Sequence, residues 1–277
     1  MRLVSLRSSA QPRKELVIAL HCSGAGAGQW RLLGQVLGPD YELAAPEHYG
    51  CDSVGPWTGR HAFTLADEAK RTIALIDSSD RKVHLVGHSY GGGVALHVAL
   101  ARPEKIASLT LYEPSAFHLL RQFGPRAAAA FAEIRGVADL IGAGVLIGDY
   151  RGAAATFVDY WSGPGAWDVL RPAVQDAVAR WMPKGPLDFT ALIDEPAPAR
   201  GYGRIACPTL IIRGEHAPAP TRLIAEMLPA LLPGARLEIA AGAGHMGPIT
   251  HAAQVSAQIV RHIDEIALPA HEARSAA

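Results

Sequence analysis

A serine flanked by glycines stands between a predicted strand and a predicted helix. Gly87-His-Ser-Tyr-Gly91 follows the apolar run from Val83 to Val86 and precedes a stretch of small residues that ends at Ala101. In a strand–turn–helix of this kind, a strained turn pushes the serine hydroxyl out of the sheet, and glycines leave room where strand and helix come close. Ser89 is therefore the predicted nucleophile. The alternative is a glycine-rich turn without chemistry.

The nucleophile needs a base, because a free hydroxyl reacts weakly at neutral pH. The chain has twelve histidines. His245 is the predicted general base, since it lies in a glycine-rich loop after the last predicted strand and the order Ser–acid–His is typical of this motif. His88, beside Ser89, is predicted to have a packing role. We expect His216, His251 and His262 to be surface residues or hydrogen-bonded structural residues without a catalytic role.

Four segments resemble the α/β-hydrolase fold superfamily, and the resemblance covers about residues 15–267. They are the nucleophile strand and turn from Val83 to Gly92, the oxyanion-loop segment from Leu20 to Trp30, the segment from Ala45 to Ser53, and the histidine loop from Gly242 to Gly247. The resemblance implies a mostly parallel α/β sheet with flanking helices, a helical cap over the active site and a serine nucleophile.

The resemblance also implies an oxyanion hole built from two backbone N–H groups. One belongs to Tyr90, the residue after the nucleophile, and the other is best placed at Ser23 in the loop after the first central strand. His21 is expected to hold this loop. Cys22 replaces the usual glycine, and a buried, unreactive thiol is expected there.

The carboxylate expected to orient the catalytic histidine is missing from its usual place in the family pattern. The family commonly has Gly-x-x-Asp after a strand like the one from Thr209 to Ile212, but this chain reads Gly214-Glu-His-Ala217. Glu113 is the favoured substitute, because it ends the strand beside the nucleophile strand. Glu215, Asp194 and the absence of any acid remain alternatives.

Short apolar runs alternate with helical patterns, which favours a parallel sheet covered on both faces. Strands are predicted at residues 16–20, 41–45, 83–86, 109–112, 209–212 and 236–239. Helices are predicted at residues 29–37, 64–76, 91–101, 221–232 and 250–266. Thr64 and Asp67 form a capping-box-like start of the second of these helices.

The alternation stops between about residues 115 and 204, where only helices are predicted, at residues 126–138 or beyond, 149–161 and 167–181. The predicted domains are a core of residues 1–114 and 205–277 and a cap of residues 115–204. Trp161, Trp167 and Trp181 lie in the insertion. They form either its own small core or part of an apolar pocket.

Composition excludes several classes of protein. The 277 residues are 49% hydrophobic and 19% charged, and 26 Lys and Arg balance 26 Asp and Glu. This excludes a disordered chain, argues against nucleic acid and gives no support for docking on anionic lipid. Three scattered cysteines and the lack of an apolar leader in residues 1–10 favour a cytoplasmic protein.

The leading hypothesis is a serine hydrolase, of carboxylic-ester type, acting on a small ester, thioester, lactone or activated C–C bond. Serine at position 89 argues against the dehalogenase and epoxide hydrolase branches, which use Asp there. The alternatives are a non-hydrolytic binding protein on the same fold, and an acyltransferase or cofactor-free haloperoxidase-like enzyme. A small-molecule substrate is expected, with no membrane partner. No metal cluster or nucleotide fingerprint appears in the sequence, so neither a metal nor a cofactor is predicted.

Overall fold

The computed structural model describes residues 14–275, with side chains up to residue 267. The segment from Met1 to Ala10, where no leader is expected, lies outside the described residues. The strands are β1 (Glu15–Leu20), β2 (Tyr41–Ala44), β3 (Val83–His88), β4 (Ile106–Tyr112), β5 (Thr209–Gly214) and β6 (Ala235–Ala240). Each predicted strand is therefore present in the structure.

The helices alternate with the strands except between β4 and β5. They are α1 (Arg31–Val36), α2 (Leu65–Ser78), α3 (Tyr90–Ala101), α4 (Gly124–Leu146), α5 (Tyr150–Ser162), α6 (Pro172–Trp181), α7 (Gly185–Ile193), α8 (Ala219–Met227), α9 (Gly247–Thr250) and α10 (Ala252–Ser275). None of the helices in the described part of the chain is long and apolar enough to cross a membrane.

The six strands form one parallel sheet in the order β2-β1-β3-β4-β5-β6. This confirms the predicted fold class. The strand order reverses between β1 and β3, so the loops that follow these two strands diverge and leave a crevice at their carboxyl ends. The oxyanion-loop segment and Ser89 lie at this reversal.

Side chains of the strands alternate between two buried clusters. In β1, Ile18 and Leu20 pack with α2, α3 and α8, whereas Val17 and Ala19 pack on the opposite face with α1 and α10. The period of two is what a sheet buried on both faces requires. The sheet is therefore a rigid central layer whose carboxyl edge is left to the loops.

The helical insertion shares the first of these clusters. Buried residues of α4, α5 and α7, among them Ile134, Trp161 and Phe189, belong to the same apolar core as α2 and α3. The division into a separate core domain and cap domain stays a prediction, because the apolar packing runs without a break between them.

Two helices of the insertion differ from the prediction. The helix predicted at residues 167–181 begins only at Pro172, because residues 164–169 form turns and Arg171 is extended, with ψ 140°. Helix α7 was not predicted at all. Its Gly185-Pro186 start reads as a helix breaker, although Pro is well tolerated in the first turn of a helix.

The turn between β3 and α3 has no room for side chains at its glycines. A Cβ atom on Gly87 would lie 2.5 Å from the carbonyl oxygen of Gly91 and 2.8 Å from the Cα of Gly92. A Cβ on Gly92 would lie 2.8 Å from the Cα of Pro114. The contacted atoms are backbone atoms that cannot rotate away, so the turn depends on glycine for close approach.

We predict that Gly87→Ala destabilises the protein, because the added methyl group overpacks a rigid backbone contact. Overpacking of this kind costs about 1–3 kcal/mol or more. The matched control is Gly136→Ala in the exposed middle of α4, where a Cβ meets nothing within 4 Å. That change should raise the free energy of unfolding by roughly 0.5–1 kcal/mol. Urea unfolding of both variants measures the difference, and equal stabilities would contradict the prediction.

Candidate active site

Ser89 occupies the sharp turn between β3 and α3. Its backbone has φ 54° and ψ −116°, a conformation that costs a non-glycine residue about 1–3 kcal/mol. The Ser89 N–H donates to the carbonyl of Tyr112 on the neighbouring strand (3.0 Å), which holds the turn in place. The hydroxyl consequently stands at the carboxyl edge of the sheet, where it lines a cavity.

His245 lies in the loop after β6 and meets Ser89 across the sheet edge. Its Nε2 is 2.9 Å from the Ser89 Oγ, and its Nδ1 is 2.7 Å from Oε2 of Glu113. Both hydrogen-bonded contacts are buried, since His245 is 1% exposed and Glu113 is fully buried. With Nδ1–H donating to the carboxylate, Nε2 is free to accept the serine proton.

The buried side chains of His88 and Tyr112 support the loop that carries His245. His88 Nε2–H donates to the carbonyl of His245 (2.8 Å), and the Tyr112 hydroxyl donates to the carbonyl of Gly244 (2.7 Å). Burial, reinforced by nearby His245, lowers the pKa of His88, so His88 stays neutral. The predicted packing role of His88 therefore takes a specific form, because it fixes the backbone that carries the ring of His245.

The Glu113 carboxylate is hydrogen-bonded on both oxygens. Oε1 accepts the N–H of Gly214 (2.9 Å), and Oε2 accepts the Thr221 hydroxyl (2.7 Å) as well as His245 Nδ1–H. Glu113 itself has φ 41°, which turns its side chain from β4 toward the end of β5. Both carboxylate oxygens therefore have hydrogen-bond donors, which fix the side chain in its position beside His245.

The other carboxylates that could have replaced the usual acid lie elsewhere. Glu215 accepts the N–H of Gly242 (2.8 Å) on the exposed side of the loop. Asp194 is exposed at the end of α7. Ala217, at the family's usual acid position, is buried and has no polar side chain. The geometry therefore brings Ser89, His245 and Glu113 together, while their catalytic roles stay predictions.

Ser23 and Tyr90, the two residues predicted to donate to an oxyanion, line the same cavity as Ser89. Within residues 14–275, neither backbone N–H makes a hydrogen bond to another protein group. Tyr90 is the first residue of α3, so its N–H is one of the donors that a helix cannot satisfy internally. Two unpaired donors beside the hydroxyl are suited to bind a developing negative charge.

His21 fixes the loop that carries Ser23. Its Nδ1–H donates to the carbonyl of Cys22 (2.8 Å), and its Nε2 accepts the N–H of His48 (3.2 Å). Burial, helped by neighbouring His48, lowers the pKa of His21 to about 3, so the ring stays neutral. Burial also raises the pKa of the Cys22 thiol to about 12, which leaves it protonated and unreactive.

The cavity beside Ser89 is small and mostly apolar. It leaves only about 10 Å³ for the centre of a water-sized molecule and is walled by Phe117, Phe157, Trp161, Phe189 and Leu192. The Trp161 ring stacks on the ring of His245, with centroids 4.0 Å apart and an interplanar angle of 26°. Trp161 lines both this cavity and an outer groove, and therefore separates the two. His245 lines the outer groove together with Trp161.

Only one of the three tryptophans of the insertion lines this cavity. Trp181 packs against Phe157, at 5.5 Å between ring centroids, and against Gly24. Trp167 is half-buried under the guanidinium of Arg151. Both alternatives for these residues therefore hold in part, since Trp161 forms the pocket and the others pack the insertion.

Sequence reasoning missed four polar residues at or near the cavity. Ser115 Oγ lies 3.2 Å from Ser89 Oγ. Glu68, Lys184 and Asp188 form a buried ionic cluster beside Ser23 and Tyr90. The spacing of four residues between Lys184 and Asp188, typical of a helical ion pair, was the available signal. No group of three or more His, Cys, Asp or Glu side chains in the described part of the chain could hold a metal ion.

A protein-family model described as the alpha/beta hydrolase family matches residues 17–258. The chain belongs to this family. It is 35% identical over 100 residues to the lipase LipV of Mycobacterium tuberculosis, an alignment that covers 36% of this chain and 37% of that lipase. It is 31% identical over 108 residues to a cis-3-alkyl-4-alkyloxetan-2-one decarboxylase of Shewanella oneidensis, covering 38% of this chain and 34% of the relative.

Alignments to these alpha/beta hydrolase relatives thus span only about a third of their length. Among solved structures, the chain is similar to a hydrolase from Pseudomonas aeruginosa PA01, with a TM-score of 0.72 and 24% identity over 90% of each chain. Likeness at this level of identity shows the fold alone. The substrate must therefore be argued from this chain's own site.

We predict that Glu113→Gln lowers kcat strongly, because an amide can donate to the histidine ring and favour the wrong tautomer. By analogy with other triads, the loss could reach about 10⁴-fold. Steady-state kinetics on a chromogenic ester measures it, with circular dichroism to show that the fold survives.

A second substitution sharpens this measurement. Ala217→Asp in the Glu113→Gln background restores a carboxylate at the family's usual position and should recover part of the lost kcat. If Glu113→Gln keeps more than a tenth of wild-type turnover, Glu113 is not the acid.

Proposed function

We propose that this protein is a serine hydrolase that cleaves a small ester, thioester, lactone or activated C–C bond substrate through an acyl-enzyme at Ser89. The observation that supports this most is the continuous hydrogen-bonded path from Ser89 through His245 to Glu113, with contacts of 2.9 Å and 2.7 Å. Carboxylic esters are the first substrate class to test. The relatives include a lipase and an oxetanone decarboxylase, and these activities are those of the relatives.

In the proposed mechanism, His245 Nε2 takes the Ser89 proton as Oγ attacks the substrate carbonyl. The imidazolium is stabilised by the Glu113 carboxylate, and the carbonyl oxygen becomes an oxyanion held by the N–H groups of Ser23 and Tyr90. Collapse of the tetrahedral intermediate breaks the bond to the leaving group, which takes the proton back from Nε2. Water, activated by the same histidine, then releases the acid from Ser89.

The narrow cavity favours a short acyl group. Its volume of about 10 Å³ is far below the range of ~300–1,000 Å³ common for drug-sized ligands, so its walls must move apart to admit a substrate, and a short acyl group requires the smallest movement. Its aromatic walls favour an apolar chain. We therefore infer that acetyl and butyryl esters are cleaved better than octanoyl esters. A series of p-nitrophenyl esters of these three acyl groups tests the inference directly through kcat/KM.

The non-hydrolytic alternative loses its main support. It rested on the absence of a carboxylate at Ala217, but Glu113 contacts His245 from the neighbouring strand. Acyl transfer and haloperoxidase-like chemistry would use the same residues with a different acceptor. Product analysis with added alcohol or peroxide separates them from hydrolysis.

We predict that Ser89→Ala abolishes ester hydrolysis while the fold remains intact, because it removes one hydroxyl at little packing cost. Losing a triad nucleophile can cost ~10⁶-fold in kcat. A fluorophosphonate should add its phosphonyl group to the Ser89 peptide of the wild type, as seen by mass spectrometry.

The matched control for this variant is Ser108→Ala. Ser108 is a buried serine of β4 whose hydroxyl contacts His84 (2.8 Å), away from the cavity. This variant should keep its turnover and its labelling. Phosphonate labelling of Ser89→Ala at the wild-type rate would rule out Ser89 as the nucleophile.

We predict that His245→Ala loses both acylation and deacylation, because the same ring serves as base in each step. Rapid mixing with p-nitrophenyl acetate should show no burst of nitrophenol in this variant. A normal burst followed by a stalled acyl-enzyme would mean that a different residue activates Ser89.

A further inference from the structure

A buried ionic cluster lies between the insertion and the sheet. Lys184 Nζ donates to Oε2 of Glu68 (2.9 Å) and to Oδ1 of Asp188, and it lies 3.4 Å from the Tyr90 hydroxyl. All of these side chains are buried, with Lys184 4% exposed and Asp188 3% exposed. We call Glu68, Lys184 and Asp188 the Lys184 network.

Both predicted oxyanion residues are tied to this network through their side chains. The Ser23 hydroxyl donates to Oδ2 of Asp188 (2.5 Å), and the Tyr90 hydroxyl donates to Oε2 of Glu68 (2.7 Å). Ser23 follows β1, whereas Tyr90 begins α3, so the two donors lie on separate segments. Lys184 contacts both carboxylates and thereby links the two segments.

The three buried groups of the cluster act on one another's protonation; burial, together with the Glu68 carboxylate, raises the pKa of Asp188 although Lys184 lies beside it. Burial alone would lower the pKa of Lys184, but the carboxylates of Asp188 and Glu68 outweigh it and raise that pKa. Burial would raise the pKa of Glu68, but hydrogen bonds from His48 and Lys184 hold it below its usual range. Buried ion pairs seldom add net stability over apolar packing of similar volume.

We propose that the Lys184 network positions the backbone N–H groups of Ser23 and Tyr90 for the oxyanion. This inference rests on the proposed function. Lys184, Glu68 and Asp188 are positioning residues in this scheme, because they act on the reaction through the two donors. Because Lys184 and Asp188 belong to the α7 region, the insertion takes part in setting the oxyanion site as well as in covering it.

Substitution of Glu68 can distinguish a positioning effect from direct contact with the substrate. Ser23, Tyr90 and Asp188 line the cavity, but Glu68 and Lys184 do not. Glu68 reaches the site through the Tyr90 hydroxyl and through Lys184. An effect of Glu68 on the chemical step is therefore indirect, through the network or through His48, whose Nδ1 lies 3.4 Å from Glu68 Oε1.

The test uses variants that keep both N–H groups and cut only their ties. Ser23→Ala and Tyr90→Phe each remove one hydroxyl, and Glu68→Gln removes the charge that holds Tyr90 and Lys184. Loss of a whole oxyanion donor costs about 10²–10³-fold in kcat, so we expect roughly 10-fold to 100-fold for a displaced one. KM for p-nitrophenyl acetate should change little, because the ground-state carbonyl uses these donors less than the oxyanion does.

A second readout separates positioning from loss of folded protein. An alkyl boronic acid forms a tetrahedral adduct on Ser89 that places an oxygen at the oxyanion position. Its inhibition constant should rise by the same factor as kcat falls. A variant that is merely less stable would show fewer active molecules with an unchanged inhibition constant.

The double variant Ser23→Ala/Asp188→Asn adds a check on the path. Both changes break the same hydrogen bond, so the double variant should be no worse than the worse single one. The matched control is Glu195→Gln, a buried carboxylate that ties the end of the insertion to His97 of α3 (3.1 Å) away from the cavity. It should keep wild-type kcat.

The outcomes separate this inference from the proposed function. If Ser89→Ala is inactive while Tyr90→Phe, Ser23→Ala and Glu68→Gln keep kcat and the boronate constant within twofold, the network has no positioning role and the hydrolase stands. An equal loss in Glu195→Gln would also overturn it, because any loosening of the insertion would then suffice. If the wild type neither cleaves esters nor takes up phosphonate at Ser89, both proposals fall. Should Glu68→Gln not fold, Tyr90→Phe decides alone.

Discussion

The register of three parallel strands is the constraint on which the candidate site depends. In β3 and β4, His88 pairs with Tyr112, and in β4 and β5, Tyr112 pairs with Ile212. The next residues continue this ladder, since Ser89 N–H donates to Tyr112 (3.0 Å) and Glu113 N–H donates to Ile212 (2.9 Å). Both residues then leave the sheet with positive φ. The hydroxyl and the carboxylate therefore stand at one level of the sheet edge, on neighbouring strands.

The histidine loop completes the arrangement because the same two strands support it. His88 and Tyr112 are the residues immediately before Ser89 and Glu113, and they donate to the carbonyls of His245 and Gly244. Each strand thus ends in one residue of the candidate site, Ser89 or Glu113, preceded by one residue that supports the histidine loop. A strained turn can persist at such a place, because the surrounding buried hydrogen bonds over-determine it.

The cavity has an apolar side and a charged side, and both come from the insertion as well as from the core. Trp161 covers the His245 ring and excludes water from it, while Asp188 reaches Ser23 from α7. In a site with little water, fixed dipoles act more strongly on a developing charge, so the position of each N–H group matters more. The closed apolar wall and the Lys184 network therefore serve the same proposed step.

The sequence by itself determined the strands, the turn at Ser89 and the loop of His245, because these depend on local spacing, small residues and burial on both faces of a sheet. It favoured Glu113 for the same reason, as a carboxylate at the end of a neighbouring strand. Only the tertiary structure could separate Glu113 from Glu215, since the choice depends on which way each side chain leaves its loop. The tertiary structure also revealed α7, whose Gly185-Pro186 start looks in the sequence like the end of a helix. It further showed that Trp161, of the three tryptophans in the insertion, lines the cavity. The contacts of Ser23 with Asp188 and of Glu68 with Lys184 join residues more than a hundred positions apart. No local pattern encodes such pairs, because they form only after the insertion packs against the carboxyl edge of the sheet.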